Sequence, residues 1–363
     1  MRSIRTCWSA TVASAKRIES LDLIKLIGAL FVVMHHCMFI SVVPLAGGLT
    51  FGKALVFCYN TIVNTLPVPL FIVISLWLYV SRRADQPGYF KKRLLRLVQI
   101  LLIWSVIYAL VGTVTGAYAT FPHTLLGYVL IPLVDGGLYY LASLIVCTCL
   151  VEGLARLRGR SVLLFRVVAV VSLIAAVAMQ AFWVPLFRGT PVEVQKLYGL
   201  GPLMFLFYAP ALVLLHDAYR GVRRSLRVGV LLAFLYALNI GLYSLATRKL
   251  DLLAASYWLG YQTPLTLALA FLVLLIALKS RLTLPAWIRS VASYGLGIYL
   301  IHPLIIGLLR RFIPSAQARL PHLMFIWSGM RLAVNGVFLL VIVALTAVVL
   351  FVLSRTRFKF LIR

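Results

Sequence analysis

Residues 331–353, RLAVNGVFLLVIVALTAVVLFVL, decide the fold class, because Arg331 is the one charged residue in an almost wholly apolar run. An α-helix rises about 1.5 Å per residue, so about 20 apolar residues cross the roughly 30 Å hydrocarbon core of a bilayer. The run is long enough to do this. It therefore predicts a transmembrane helix.

Similar runs recur along the whole chain, which is 63% hydrophobic and 12% charged with a mean hydropathy of +1.03. Soluble domains are about 45–50% apolar and about 25% charged. We therefore expect an all-α, polytopic integral membrane protein with about ten transmembrane helices. The predicted spans are 24–43, 55–80, 97–117, 138–152, 161–182, 201–216, 228–246, 264–280, 291–309 and 331–353. Pro67 and Pro69 interrupt the second run, which predicts a shorter helix there.

The basic residues indicate how the chain is oriented. There are 35 Lys and Arg against 8 Asp and Glu, and with ten spans most of the basic residues fall on the side of both termini. The positive-inside rule makes that side cytoplasmic. We expect a cytoplasmic segment 1–20, one transmembrane domain 21–354 and a basic cytoplasmic tail 355–363.

The same charge distribution argues against several other classes of protein. Basic residues that follow topology and attract anionic lipid need no nucleic-acid partner, and we predict none. The five cysteines are an odd number and four lie in apolar runs, so we predict neither a disulfide framework nor a metal site. The predicted environment is the lipid bilayer, and no permanently bound cofactor is expected.

The first predicted helix concentrates ionisable residues, which are costly in hydrocarbon and therefore candidate functional residues. Lys25 and His36 are eleven positions apart, which at about 100° per residue places them on one face, about 16 Å apart along the axis. Asp22 lies near the same face. The pattern predicts a charge pair at the cytoplasmic end and an imidazole deeper in the membrane.

A desolvated imidazole stays neutral and can take a proton from a substrate, which makes His36 a candidate general base. His35 points about 100° away and is a weaker candidate. The alternative for His36 is a structural hydrogen bond to a neighbouring helix.

Arg93 and Arg96 stand three positions apart at the start of the third helix, so we expect them to face one way. Guanidinium groups suit phosphate oxygens, and a helix amino-terminus also favours anions. The alternative is an ordinary positive-inside anchor. Physics alone leaves both interpretations open.

Further candidates occur in two other segments. In SYGLGIYLIHP, residues 293–303, Tyr299 and His302 lie in an apolar run, and Pro303 frees a carbonyl near Tyr299 that His302 could satisfy structurally. In DGGLYYL, residues 135–141, the tyrosines include Tyr140. These predict an aromatic entrance on the outer side, or simple interface anchors.

These segments, in this order, resemble the acyltransferase 3 family of membrane O-acyltransferases. Asp22, Lys25 and His36 stand where the family has an Asp-containing stretch, an Arg and a His eleven positions later. The run PLFIVIS, residues 69–75, resembles the family's Pro-Leu-Phe signature that ends in Ser-Gly, with Ser75 retained and Leu76 in place of Gly. Lys25 replaces the usual Arg, which keeps the charge but loses the bidentate fork.

Three later motifs match as well, so the resemblance extends from residue 18 to about 310. Arg93 and Arg96 match the family's Arg-x-x-Arg, residues 138–141 resemble its Leu-Trp-Phe-Leu, and residues 299–303 match its Tyr-Leu-x-His-Pro. Ten helices is the family's number. The chain resembles the standalone form, without the soluble esterase-like extension that some members carry.

The resemblance implies transfer of an acyl group, most often acetyl, from cytoplasmic acyl-CoA to a hydroxyl of a cell-surface or lipid-linked glycan in the bacterial inner membrane. His36 would be the base, with His35 and Asp22 as further catalytic candidates. Lys25, Arg93 and Arg96 would hold the acyl-CoA phosphates. Tyr140, Ser75, Tyr299 and His302 would bind substrate.

Two alternatives stay open at this point. A polysaccharide or small-molecule exporter without acyl-transfer chemistry also fits intramembrane His and Lys residues. A structural factor in an envelope complex would leave the alignment of Lys25 with His36 without a purpose.

Overall fold

The computed structural model describes residues 18–37, 59–83, 86, 88–115, 138–186, 205–219, 230, 234, 264–312 and 328–362. Within these ranges every regular element is helical, and no strand occurs. This confirms the all-α prediction for the described part of the chain. The predicted span 228–246 lies almost wholly outside the described residues, as do residues 1–17 and the sequence Asp135–Gly137.

Ten α-helices are described. In chain order they are α1 (Glu19–His36), α2 (Pro67–Arg83), α3 (Tyr89–Thr115), α4 (Tyr139–Arg160), α5 (Val162–Leu186), α6 (Tyr208–Tyr219), α7 (Pro264–Lys279), α8 (Ala286–Ala292), α9 (Gly295–Phe312) and α10 (Ser328–Ser354). A π-helical turn, Asn60–Thr65, precedes α2, and a 3₁₀-helix, Arg357–Leu361, follows α10.

Three described helical segments are long and apolar enough to cross a membrane: Tyr89–Val114, Tyr139–Arg160 and Gly336–Ser354. The pair Ala286–Ala292 and Gly295–Leu309 passes the same test together but is bent by 58°. On α10 the side chains of Leu340 and Phe351 are 69% and 61% exposed, as expected where lipid replaces water. The protein is thus a helical membrane protein, while ten spans and cytoplasmic termini remain predictions.

The helix boundaries refine the predicted spans in three places. Helix α2 begins at Pro67, so both prolines lie in its first turn, where a missing N–H costs nothing. Helix α1 begins at Glu19, earlier than expected, which brings Asp22 inside the helix. The predicted span 291–309 is broken at Ser293 and Tyr294, between α8 and α9.

The chain divides into two compact units. The first unit contains α4, α5, α6 and α7, with most of α2 and the first part of α3. Helices α4, α5 and α6 pack against one another, and Phe165, Phe205 and Tyr208 are fully buried among them. The ring of Tyr139 stacks on Phe205 with an interplanar angle of 7°.

The second unit contains most of α1, the later part of α3, and α8, α9 and α10 with the 3₁₀-helix. Helix α9 packs along α10. The N–H of Gly297 on α9 donates to the carbonyl of Ile362 at 3.1 Å, and the indole N–H of Trp104 donates to the carbonyl of Leu361 at 3.2 Å. Leu361 and Ile362 are buried. The apolar end of the predicted tail is therefore packed against its unit, while Arg355, Arg357 and Lys359 are exposed.

Candidate active site

Three histidines come together in the second unit. His36 ends α1, and its ring centroid lies 5.1 Å from that of His302 on α9. The His35 ring is also 5.1 Å from His36, and the side chain of Asn64 lies beside it. His302 is fully buried, whereas His36 is exposed. The accessible imidazole of His36 therefore lies against the inaccessible imidazole of His302. Spacing in the sequence did not predict this contact.

Asp22 and Lys25 form an ion pair at the other end of α1. The Lys25 Nζ is 2.8 Å from the Asp22 carboxylate, one helical turn earlier. This is the predicted charge pair. Asp22 and His36 are fourteen residues apart on one helix, or about 21 Å along its axis. The structure therefore does not bring Asp22, predicted as a catalytic residue, to the histidines, and shows it as the partner of Lys25.

Pro303 lies inside α9 and removes a backbone donor from the helix. The Nδ1 atom of His302 is 2.9 Å from the carbonyl oxygen of Ile298, and the backbone of Tyr299 also approaches this ring. The carbonyl that His302 contacts most closely is therefore one residue earlier than expected. Tyr299 is buried, with its ring centroid 6.1 Å from that of His302.

The first unit contains the predicted arginine cluster. Arg93 on α3 donates from Nη2 to the hydroxyl of Ser75 on α2 at 2.8 Å. Its guanidinium carbon lies 5.2 Å from the centroid of the Tyr79 ring, and Tyr140 on α4 is close enough to interact electrostatically. Arg96 is exposed. Arg93, Ser75 and Tyr140 are thus brought together, and Arg96 has a different environment from Arg93.

Glu152 on α4 organises this cluster, and it is not among the residues predicted from the sequence. Its carboxylate accepts hydrogen bonds from the Tyr79 hydroxyl at 2.5 Å, from Nε and Nη2 of Arg83, and from Nε of Arg156 at 2.7 Å. A rare acidic residue in an apolar helix, four positions before an arginine, was the available signal. Its partners on α2 could not be identified from spacing.

The histidine cluster and the arginine cluster belong to different units. In the second unit, a neutral imidazole at position 36 can accept a proton from a hydroxyl, provided that substrate reaches it. In the first unit, Arg93 can bind an anionic group through its remaining donors. Within the described ranges, no three His, Cys, Asp or Glu side chains are arranged to hold a metal ion.

Comparison with known proteins identifies the family of the chain. The family model described as an acyltransferase domain matches residues 18–355, nearly the whole chain. No curated protein and no solved structure matches the chain. The match includes both clusters and all the motifs that suggested the resemblance. The chain therefore belongs to the acyltransferase 3 family and is a membrane acyltransferase.

Proposed function

We propose that this protein transfers an acyl group, with acetyl as the preferred candidate, from cytoplasmic acyl-CoA to a hydroxyl of a cell-surface or lipid-linked glycan. The proposed location is the bacterial inner membrane. The observation that carries the proposal is the exposed imidazole of His36 at the end of α1. Its ring lies next to the buried ring of His302. Family membership supplies the reaction class.

His36 is the general base in this proposal. Its neutral ring takes the proton of the acceptor hydroxyl while the oxygen attacks the thioester carbonyl. The carbon–sulfur bond then breaks, and the leaving thiolate takes the proton from the imidazolium of His36. His35, whose ring contacts His36, helps to set the position of that ring.

Cationic side chains bind the donor. Arg93 is held by Ser75 and packs over Tyr79, so its guanidinium is oriented before an anion arrives. Arg96 is exposed and can meet phosphate without reorganising its unit. Lys25, next to Asp22, adds positive charge at the cytoplasmic end of α1.

Tyr140, Ser75, Tyr299 and His302 are our proposed substrate-binding residues. The ring centroid of His302 lies 5.1 Å from that of His36, and the ring centroid of Tyr299 lies 6.1 Å from that of His302, which supports a role near the base. The Ser75 hydroxyl accepts a hydrogen bond from Arg93. In this proposal Ser75 therefore acts nearer the acyl-CoA than the glycan.

The test is His36→Ala in cells that make the cognate glycan. We expect the variant to insert and accumulate normally while the acyl ester disappears from the glycan, as measured by mass spectrometry of surface polysaccharides with and without the protein. A mass difference of one acyl group in the wild type would identify the donor group. Normal ester content in His36→Ala cells would show that His36 is not the base. If cells that lack the protein accumulate unacylated glycan inside, the result would favour the exporter alternative.

A further inference from the structure

The hydrogen bonding of His302 determines which of its ring nitrogens carries the proton. Nδ1 lies 2.9 Å from the carbonyl oxygen of Ile298, and a carbonyl oxygen can only accept. Nδ1 must therefore carry a hydrogen. In the neutral ring this leaves Nε2 with a free lone pair that can only accept.

That lone pair has no hydrogen-bond partner within the described part of the chain. Nε2 of His302 is buried and unpaired, and the whole residue has no exposed surface. A buried acceptor left unpaired destabilises the fold, so its retention requires an explanation. The hydroxyl of Tyr108 reaches the same helix, but its hydrogen is already donated to the carbonyl of Leu300 at 3.1 Å.

The ring of His36 is in position to supply it. The centroids of the two rings are 5.1 Å apart and the ring planes are inclined at 46°. Two imidazoles joined by a linear N–H···N bond of about 2.9 Å have centroids at about this separation. A rotation of His36 about its side-chain bonds, without movement of either helix, can therefore direct an N–H at Nε2 of His302.

We propose that His302 is a positioning residue for His36: in the free enzyme as well as with the acceptor bound, it accepts the N–H of the rotated His36 ring through Nε2. The bond fixes the tautomer of His36 and leaves its other nitrogen unprotonated and directed at substrate. This inference rests on the proposed role of His36 as base. It assigns to His302 a task distinct from binding the acceptor.

Of the two histidines, only His36 gains and loses a proton during the reaction. Its unprotonated nitrogen takes the hydroxyl proton as the carbon–oxygen bond forms and the carbon–sulfur bond breaks, and the thiolate of CoA then receives that proton. His302 keeps its Nδ1 hydrogen throughout. Its contribution is to orient His36 and to stabilise the imidazolium that forms in between.

The experiment compares His302→Gln with His302→Met in purified protein. Both side chains are unbranched and similar in volume to histidine, but glutamine offers a good acceptor and methionine only a weak one. His216→Met is the control, because His216 is another buried histidine whose ring packs on Trp77. The two readouts are kcat for acyl transfer and the rate at which diethyl pyrocarbonate modifies His36, assigned by tandem mass spectrometry. The reagent attacks the unprotonated ring nitrogen, so it reports on His36 without requiring turnover.

We expect His302→Met to lower kcat about tenfold or more with little change in KM for acyl-CoA, and to slow modification of His36. His302→Gln should keep kcat and the modification rate of His36 closer to the wild-type values. His216→Met should change neither kcat nor that rate. Equal modification rates at His36 in the wild type, His302→Gln and His302→Met would overturn the inference. If wild-type protein transfers no acyl group but His36 reactivity still depends on residue 302, the proposed function fails, while the positioning of His36 by His302 stands.

Discussion

The hydroxyl of Tyr79 donates a hydrogen bond to Oε2 of Glu152 across 2.5 Å and so joins α2 to α4. The same carboxylate binds Arg83 and Arg156, while the face of the Tyr79 ring carries the guanidinium of Arg93. The Glu152 carboxylate therefore pairs with two arginines and also holds the Tyr79 ring, on which the guanidinium of a third arginine packs. The arginine cluster depends on Glu152 for its geometry.

Replacing Glu152 with Gln should destabilise the protein. The substitution leaves Arg83, whose side chain is 22% exposed, without its carboxylate. Breaking a buried ion pair costs about 3–5 kcal/mol, and partial exposure of Arg83 reduces this to about 2–3 kcal/mol. Thermal unfolding in detergent should show the loss. Arg82→Gln, an exposed neighbour, should shift stability by less than about 0.5 kcal/mol. Equal melting temperatures for Glu152→Gln and Arg82→Gln would contradict this account.

Arg93 and Arg96 should respond differently to substitution by lysine. Arg93 uses a directed hydrogen bond to Ser75 and a stacking contact with Tyr79, and an ammonium group reproduces neither geometry. We expect Arg93→Lys to raise KM for acyl-CoA by about tenfold, which corresponds to about 1.4 kcal/mol. Arg96→Lys should have a smaller effect, because an exposed charge binds phosphate without a fixed orientation. Steady-state kinetics at saturating acceptor provide the comparison, and a larger effect at position 96 would reverse the assignment.

Gly297 should not tolerate a methyl group. A Cβ built there would lie 2.5 Å from Cδ2 of Leu350 and 2.8 Å from Cβ of Ile362, so the Leu350 side chain and residue Ile362 would have to shift. We expect Gly297→Ala to cost about 1–3 kcal/mol, the usual range for overpacking. Gly295→Ala is the matched control, since its Cβ would meet nothing closer than 3.7 Å and alanine favours a helix by about 1 kcal/mol. A stability loss of the same size in both variants would show that packing at Gly297 is not limiting.

The cytoplasmic position of the chain's end can be tested by chemical labelling. Lys359→Cys introduces an exposed thiol after α10, in a background without the five native cysteines. The positive-inside rule predicts that a membrane-impermeant maleimide reaches it only after the inner membrane is permeabilised. Asp135→Cys, in a loop predicted to lie outside, should react in cells with an intact inner membrane. Labelling of Lys359→Cys without permeabilisation would invert the proposed orientation.

Local sequence alone determined the helical membrane class and much of the first helix. Long apolar runs require internally satisfied backbone groups, and in lipid a helix provides them within one segment. The ion pair of Asp22 with Lys25 likewise followed from a spacing of three residues, because such side chains are neighbours on any α-helix. The start of α2 at Pro67 reflects an equally local rule. These features need no knowledge of which helices meet.

Contacts between distant segments were decided only by the tertiary structure. His36 contacts His302, and Glu152 contacts Tyr79 and Arg83. These contacts depend on which helices pack together and on how far each helix is shifted along its axis. Helical periodicity identifies a face but not its partner, and it says nothing of the relative shift of two helices along their axes. The exposure of His36 and the burial of His302 have the same origin. A side chain's accessibility is set by its neighbours in space, and most of those neighbours are remote in the chain.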